Sequence, residues 1–205
     1  MIYRDAQAAW TALFETARTQ GGYVTARQAD AAGFGASHLS YHVAAGNLER
    51  VGHGLYRLRE LPPSPHDRIV RLVLDTRGRD DRPQAVVGHA TALSLHELSD
   101  VMPVKVHLIV PPGWRKPAPP GAVLHRGQVT TAETEDWEGF AVTTPLRTLL
   151  DVAREGRLSH EQVGAAVTDA LERGLVRRSV LERAAHHDSS KAARERLLAA
   201  LGSKA

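Results

Sequence analysis

The chain has no cysteine and only two methionines among its 205 residues. Without thiols there is neither a disulfide nor a thiolate metal site, and nothing calls for an oxidising compartment, so a cytoplasmic protein is expected. Lysine is scarce, with four in all. No stretch approaches the roughly 18 consecutive apolar residues of a spanning helix, which argues against membrane insertion, and no secretory leader is expected. Aromatic residues make up only 5%, yet the hydrophobic content of 42% is enough to bury a core. At this length one large domain or two small ones fit. Two are expected, because Pro62, Pro63 and Pro65 fall within four residues and deny the backbone donors that a helix or central strand needs.

The net charge of +3 permits contact with a polyanion without requiring it. Its distribution is more informative. Residues 1–60 carry 6 basic and 5 acidic side chains, residues 129–170 carry 3 and 8, and residues 171–205 carry 8 and 4. Such a split fits a protein that meets nucleic acid in one place and another protein elsewhere, although a solvated helical surface gives the same counts.

In the N-terminal part, Trp10, Leu13, Phe14 and Ala17 recur at helical spacing and put one apolar stripe on one face. After Gly21-Gly22 and a short extended Tyr23-Val24, Thr25 with Gln28 three residues on forms a capping box that opens a second helix, ending near Gly33. A third helix is expected over about Ser37 to Ala45, with Leu39 and Val43 inward and Gly46-Asn47 as its stop. Leu48 to Val51, the turn Gly52-His53-Gly54 and Leu55 to Leu58 then read as a tight hairpin. This order over residues 1–60 is that of a winged helix-turn-helix.

Residues 66–205 are expected to hold a small sheet backed by helices, with a helical C-terminal end, making the whole an α+β protein. The spacing predicts helices over Asp67 to Thr76 and Thr91 to Leu98. Extended segments are expected at Ala85 to Val87, Val104 to Val110, Ala122 to His125 and Phe140 to Thr143. Pro145 suits the first turn of a helix running through Val152, because its missing N–H would be unpaired there anyway. From Ser159 onward the pattern is helical, broken at Gly174. The run Pro111 to Pro120 reads as a surface loop, with Trp114, Arg115 and Lys116 placed to stack on a base or dock on a partner, and the acidic segment around Trp137 reads as a loop.

A winged helix binds DNA when one slim helix presents polar side chains to the major groove and flanking groups neutralise phosphates. With Leu39 and Val43 inward, Ser37, His38, Ser40, Tyr41 and His42 are left facing out. The hairpin offers Arg50, His53 and Arg57, with Arg59 beyond, and Arg27 lies in the first turn of the second helix. Arg173, Arg177, Arg178 and Arg183 form a basic helical face for additional phosphate or partner contacts. The third helix contains no Arg, Lys, Asn or Gln, the residues of the commonest bidentate base contacts. Each copy should therefore bind loosely, and specificity should come from two copies on repeated sites or from DNA shape. Histidine changes charge near pH 6.5, so the three histidines on this surface predict tighter DNA binding at pH 6 than at pH 8. A winged helix used only for protein contact shares the pattern.

Gly22-Tyr23-Val24-Thr25-Ala26, the run Gly46 to Leu58, His89-Ala90-Thr91-Ala92-Leu93-Ser94-Leu95-His96 and Thr144-Pro145-Leu146-Arg147-Thr148-Leu149-Leu150-Asp151 together resemble the AbiEi-type antitoxins of type IV toxin–antitoxin systems, which act in phage defence. The resemblance spans about residues 20–155. It implies an N-terminal winged helix that represses its own operon by cooperative binding to inverted repeats. It also implies a C-terminal domain required to neutralise a toxin of nucleotidyltransferase fold. The likeness fades after about residue 155, where some relatives carry a restriction-endonuclease-like domain. That domain would need acidic residues and a lysine on adjacent strands, and no strand-like Asp followed by Glu-x-Lys occurs.

Other chemistry has little to rest on. His89 and His96 are seven apart but lack a third ligand fixed by sequence, and His186-His187 reads as a solvated cluster, so no metal site and no cofactor are expected. Ser94 and Ser99 lie near His96 and Asp100 without a nucleophile elbow, and there is no phosphate-binding glycine loop. The leading expectation is a non-catalytic repressor and antitoxin that self-associates on DNA. The competing classes are an enzyme that inactivates the toxin by covalent modification and a generic winged-helix regulator or interaction module.

Overall fold

The computed structural model describes residues 2–100 and 103–202. It divides into two compact units, one of residues 1–84 with 137–140 and one of residues 85–136 with 141–205. The division falls at Gln84/Ala85 rather than at the prolines of residues 62–65, so the first helix beyond those prolines belongs to the N-terminal unit.

That unit begins with α1 (Ile2–Arg18), β1 (Tyr23–Thr25), α2 (Ala26–Ala31) and α3 (Ala36–Ala44). It continues through β2 (Leu48–Gly52), β3 (Leu55–Leu58) and α4 (Asp67–Leu74). The strands form one antiparallel sheet in the order β1-β3-β2, so the expected winged helix is present. The apolar stripe of α1 gives Leu13 and Ala17 to a core shared with Val24, Ala29, Phe34, Leu39, Leu48 and Leu58. Helix α2 starts at the expected capping box: Thr25 Oγ1 accepts from the Gln28 backbone N–H at 3.0 Å, and Gln28 Oε1 accepts from the Thr25 N–H at 2.9 Å. Thr25 is buried and its hydroxyl also meets the carboxylate of Asp81.

The second unit holds β4 (Val86–Val87), α5 (His89–Leu95), β5 (Val106–Val110), β6 (Ala122–Arg126), all but the joined ends of β7 (Thr134–Trp137) and β8 (Phe140–Thr143), and α6 (Pro145–Glu155). Three further helices follow, α7 (His160–Glu172), α8 (Arg178–His187) and α9 (Lys191–Gly202). The sheet order is β6-β5-β4-β8-β7, with β5 parallel to β6 and antiparallel to β4. The acidic segment before Trp137 is strand β7 at the sheet edge rather than a loop. Its two adjacent exposed acids, Glu135 and Asp136, break the apolar–polar alternation of a strand, which an edge strand tolerates because it needs little apolar surface. Helices α6 to α9 share a core of Leu149, Val152, Val163, Ala166, Val167, Leu181 and Leu197. Helix α6 opens as expected on Pro145 after the N-cap Thr144, and closes on Gly156 at φ 71°, a left-handed cap that favours glycine. Trp114 is buried, with Lys116 Nζ 5.4 Å from its ring centre, so it is not the outward stacking group expected from the loop. Among the described residues no helix is long and apolar enough to cross a membrane.

Two N-caps of the same type separate burial from capping. Thr25→Ala is expected to lower stability by about 1–2 kcal/mol, and Ser159→Ala, at the exposed capping box of α7, by about 0.5–1 kcal/mol. Urea unfolding followed by circular dichroism measures both. Equal losses would show that the Asp81 contact adds nothing.

Candidate functional site

In the N-terminal unit, α3 is oriented by Leu39, which is buried in the core, and by Val43, which packs against it. The opposite face carries Ser37, His38, Ser40 and Tyr41, all exposed, with Tyr41 67% accessible. Ser40 Oγ bonds back to the Ala36 carbonyl at 3.0 Å but stays at the surface. His42 departs from the expectation of an outward contact. Its ring stacks on Trp10 at 5.0 Å, lies edge-on to Phe34 at 5.3 Å, and receives Asn47 Nδ2 at 3.1 Å from Nδ1. Burial, with His38 nearby, pushes its pKa below the usual histidine value. His42 is therefore a packing residue.

The wing is decided by strand parity. Side chains two apart share a face, so Tyr56 and Leu58 line the α3 side while Arg57 lies with Leu55 on the other. Asp67, the first residue of α4, lies on that other face. Arg57 Nε lies 3.8 Å from Asp67, and its Nη2 donates to the Leu61 carbonyl at 2.9 Å. Arg57 is thus turned inward, contrary to expectation, because a helix assigned by sequence to the second domain supplies the carboxylate beside it. The register Arg50↔Tyr56 and Leu48↔Leu58 places Arg50 on the α3 side of the sheet, exposed, with His53 exposed at the turn. The outlying arginines are engaged in part. Arg27 donates from Nη1 to the Arg79 carbonyl at 2.7 Å while remaining exposed, and Arg59 faces Glu49 at 3.8 Å. The surface that forms is therefore Ser37, His38, Ser40, Tyr41, Arg50 and His53, flanked by Arg27.

Of the C-terminal arginines, Arg173 bonds Asp169 at 2.9 Å and the His96 carbonyl at 3.0 Å, and Arg178 donates to the Leu201 carbonyl at 2.7 Å. These are structural ties between elements, while Arg177 and Arg183 are exposed.

A second site was hidden from the sequence. The runs beginning at His89 and Thr144 converge on an open cleft of about 440 Å³, lined by His89, Ile109, His125, Arg147, Asp151 and Glu155 among others. A Cβ at Gly88 would stand 2.6 Å from Ile109 Cδ1, so any larger residue there would have to displace that side chain. Gly88 delivers His89 into α5 at φ 52°, a left-handed conformation that costs a non-glycine residue of order 1–3 kcal/mol. The rings of His89 and His125 stack with centroids 3.5 Å apart. The parallel pairing Ile109↔His125 and His107↔Val123 puts His107 and His125 on one face of the sheet, where His125 Nε2 meets His107 Nδ1 at 3.0 Å. On the far side His89 Nδ1 lies 3.2 Å from Glu155 Oε2. His96, the partner suggested by spacing, is elsewhere, bonded through Nε2 to the Thr143 carbonyl at 2.7 Å. Strand parity marks His107 as facing one side, but nothing local reveals that β6 pairs alongside it.

Asp151, 4% exposed, forms the wall of this cleft. Arg147 Nε bonds both of its oxygens at 3.0 and 2.9 Å and Arg154 Nη1 adds 3.1 Å. Arg147 also holds Glu133 at 2.7 Å and Arg154 holds Asp188 at 2.8 Å. Burial first, and then the neighbouring rings and guanidiniums, lower His89 to about 3, and burial with His107 lowers His125 to about 4. Both rings are neutral at neutral pH. Burial raises the Glu155 carboxyl, with the Arg157 guanidinium opposing it.

Between about pH 6.5 and 4 the unfolded chain takes up protons at His89 and His125 that the folded unit does not. Stability is therefore expected to be complete above pH 6.5 and to fall as the pH drops toward 4, by up to about 1.4 kcal/mol per pH unit for each ring. Denaturant unfolding in metal-free buffer across this range measures the slope. His125→Gln should flatten it, and an unchanged slope would remove His125 from the titration.

A family model described as "Transcriptional regulator, AbiEi antitoxin" matches residues 12–59, and one described as "AbiEi antitoxin C-terminal domain" matches residues 84–202, more than half of the chain. These are regulator and antitoxin domains rather than enzyme families. Among solved structures, the RV2827C protein from Mycobacterium tuberculosis is similar in fold, with a TM-score of 0.58 and 18% identity over 96% of this chain and 78% of that one. No curated protein sequence matches the chain. With a winged helix in the first matched span and the sheet and helices in the second, the chain belongs to the AbiEi antitoxin family of transcriptional regulators.

Proposed function

We propose that this protein is the antitoxin of a type IV toxin–antitoxin system, acting in the cytoplasm. In this reading it represses its own operon through the N-terminal unit and neutralises a nucleotidyltransferase-fold toxin without itself catalysing a reaction. The observation that carries the DNA-binding part is the juxtaposition on one side of the winged helix: four exposed polar or aromatic residues of α3 beside the exposed Arg50. Tyr41 supplies a large accessible face, and Arg50, Arg27 and His53 supply phosphate contacts. Base readout by serine, histidine and tyrosine alone is modest, so the operator should be an inverted repeat occupied by two copies.

Electrophoretic mobility shift with the DNA upstream of the gene tests this. Arg50→Ala is expected to weaken binding and to reduce the slope of log affinity against log salt by about 0.9, the value of one phosphate contact on duplex DNA. Tyr41→Ala should weaken binding with the salt slope unchanged. Unaltered binding by both variants would exclude the α3 and wing surface. With His42 packed on Trp10 and its pKa lowered by burial, His42→Gln should leave the pH dependence of DNA binding unchanged.

For the toxin, titration of its nucleotidyltransferase activity should show protection that scales with the amount of antitoxin and no change in toxin mass. Full protection by a small molar fraction of antitoxin, with a mass shift, would replace stoichiometric neutralisation by covalent modification.

A further inference from the structure

We propose that the C-terminal unit binds one divalent transition-metal ion, with Zn²⁺ the best match, through His89, His125 and Glu155. One donor atom from each lies within 4.8 Å of the others. Zinc bonds of about 2.0–2.1 Å to nitrogen and oxygen set a tetrahedral ligand-to-ligand edge of about 3.3 Å, and His89 Nδ1 and Glu155 Oε2 already stand 3.2 Å apart. The His89 and His125 rings are stacked with their planes 16° apart, so their in-plane lone pairs run nearly parallel, and directing both at one ion takes a rotation of one imidazole about its Cβ–Cγ bond as well as an approach.

The donors arrive from three separate elements, the start of α5, strand β6 and the end of α6. Convergence of this kind requires the tertiary fold and is not a local accident of sequence. His107 Nδ1 lies 3.0 Å from His125 Nε2, so an ion held through Nδ1 of His125 would leave His107 as the outer partner that fixes the ring's orientation. The left-handed backbone of His89 is an independent sign, since such strain persists where the surrounding structure holds a side chain in one place. Two imidazoles and a single carboxylate form a nitrogen-rich donor set that suits Zn²⁺ and its transition-metal neighbours, not Ca²⁺ or Mg²⁺.

Positive charge surrounds the cluster, but it is committed. Arg147 and Arg154 are taken up by Asp151, Glu133 and Asp188. Arg157 pairs with Glu155 through Oε1 at 2.9 Å, leaving Oε2 directed at His89. Three protein donors beside an open cleft leave the fourth position to water.

The full-length chain, stripped with chelator and titrated with ZnCl₂ by calorimetry at pH 7.5, should bind one equivalent with micromolar or tighter affinity. Glu155→Gln and His125→Gln should each weaken that binding by at least 30-fold, and His107→Gln by about 10-fold, the lower end of outer-partner effects. His186→Gln with His187→Gln, on the exposed end of α8, should leave it unchanged. Circular dichroism reports whether each variant folds. A second measurement needs no variant: the ring nitrogen resonances of His89 and His125 should shift in the wild-type chain on adding one equivalent of Zn²⁺. Absence of saturable binding, loss of binding in the His186 and His187 variant, unmoved resonances of His89 and His125, or wild-type affinity in a folded Glu155→Gln chain would each overturn the proposal.

Discussion

Asp151 is a carboxylate 4% exposed with two guanidinium groups on its oxygens, and the C-terminal unit is organised around that charge. A buried carboxylate without partners is strongly unfavourable, and removing one partner from such a pair typically costs about 3–5 kcal/mol. Here the partners are shared. Arg147 reaches Glu133 before β7, and Arg154 reaches Asp188 at the end of α8. One ionic network thereby ties helix α6 to the sheet on one side and to the last helices on the other. It also fixes which way α6 is rotated, and that rotation brings Glu155 to the cleft, one turn beyond Asp151.

The N-terminal unit shows the opposite use of arginine. Arg57 is held by Asp67, the first residue of α4, and by the Leu61 carbonyl, which turns it away from the exposed surface. This leaves the α3 and wing surface with less positive charge than the sequence count implies. On the proposed DNA-binding reading, selectivity comes from pairing of copies, since two modest interactions on one DNA multiply rather than add in affinity. The exposed serines and histidine of α3 fit that strategy better than a dense basic patch, which would hold any duplex.

Much of this was legible in advance, and the limits follow from range. Capping boxes, the glycine stops and the hairpin turn are local, and each act within about four residues, so Thr25-Gln28, Gly46 and Gly52-His53-Gly54 announced their elements. The helical spacing of Trp10, Leu13, Phe14 and Ala17 did the same for α1. Arg57 was misplaced because its fate depends on a helix ten residues downstream that the prolines seemed to cut away. His42 was misplaced because an aromatic neighbour in α1, Trp10, supplies a stacking face that helical periodicity within α3 does not contain. The histidine cleft was missed for the same reason on a larger scale: His89, His107, His125 and Glu155 meet only after strands β5 and β6 pair and α6 docks. The spacing of seven between His89 and His96 pointed to a shared helical face, but α5 ends at Leu95 and His96 turns to the Thr143 carbonyl.

The connection between β5 and β6 shows what the proline-rich run contributes. Parallel neighbours demand that the chain travel back the full length of a strand, and such returns usually take a dozen or more residues. Residues 111–121 accomplish it without a helix. Trp114 is buried near the start of that path, so the segment is pinned partway and only a short free span remains to be closed. Closing a short, stiff, proline-restricted span forfeits little chain disorder compared with a flexible one. The side-by-side seating of His107 and His125 thus depends on a segment outside both of their strands, through the conformational freedom it has already given up.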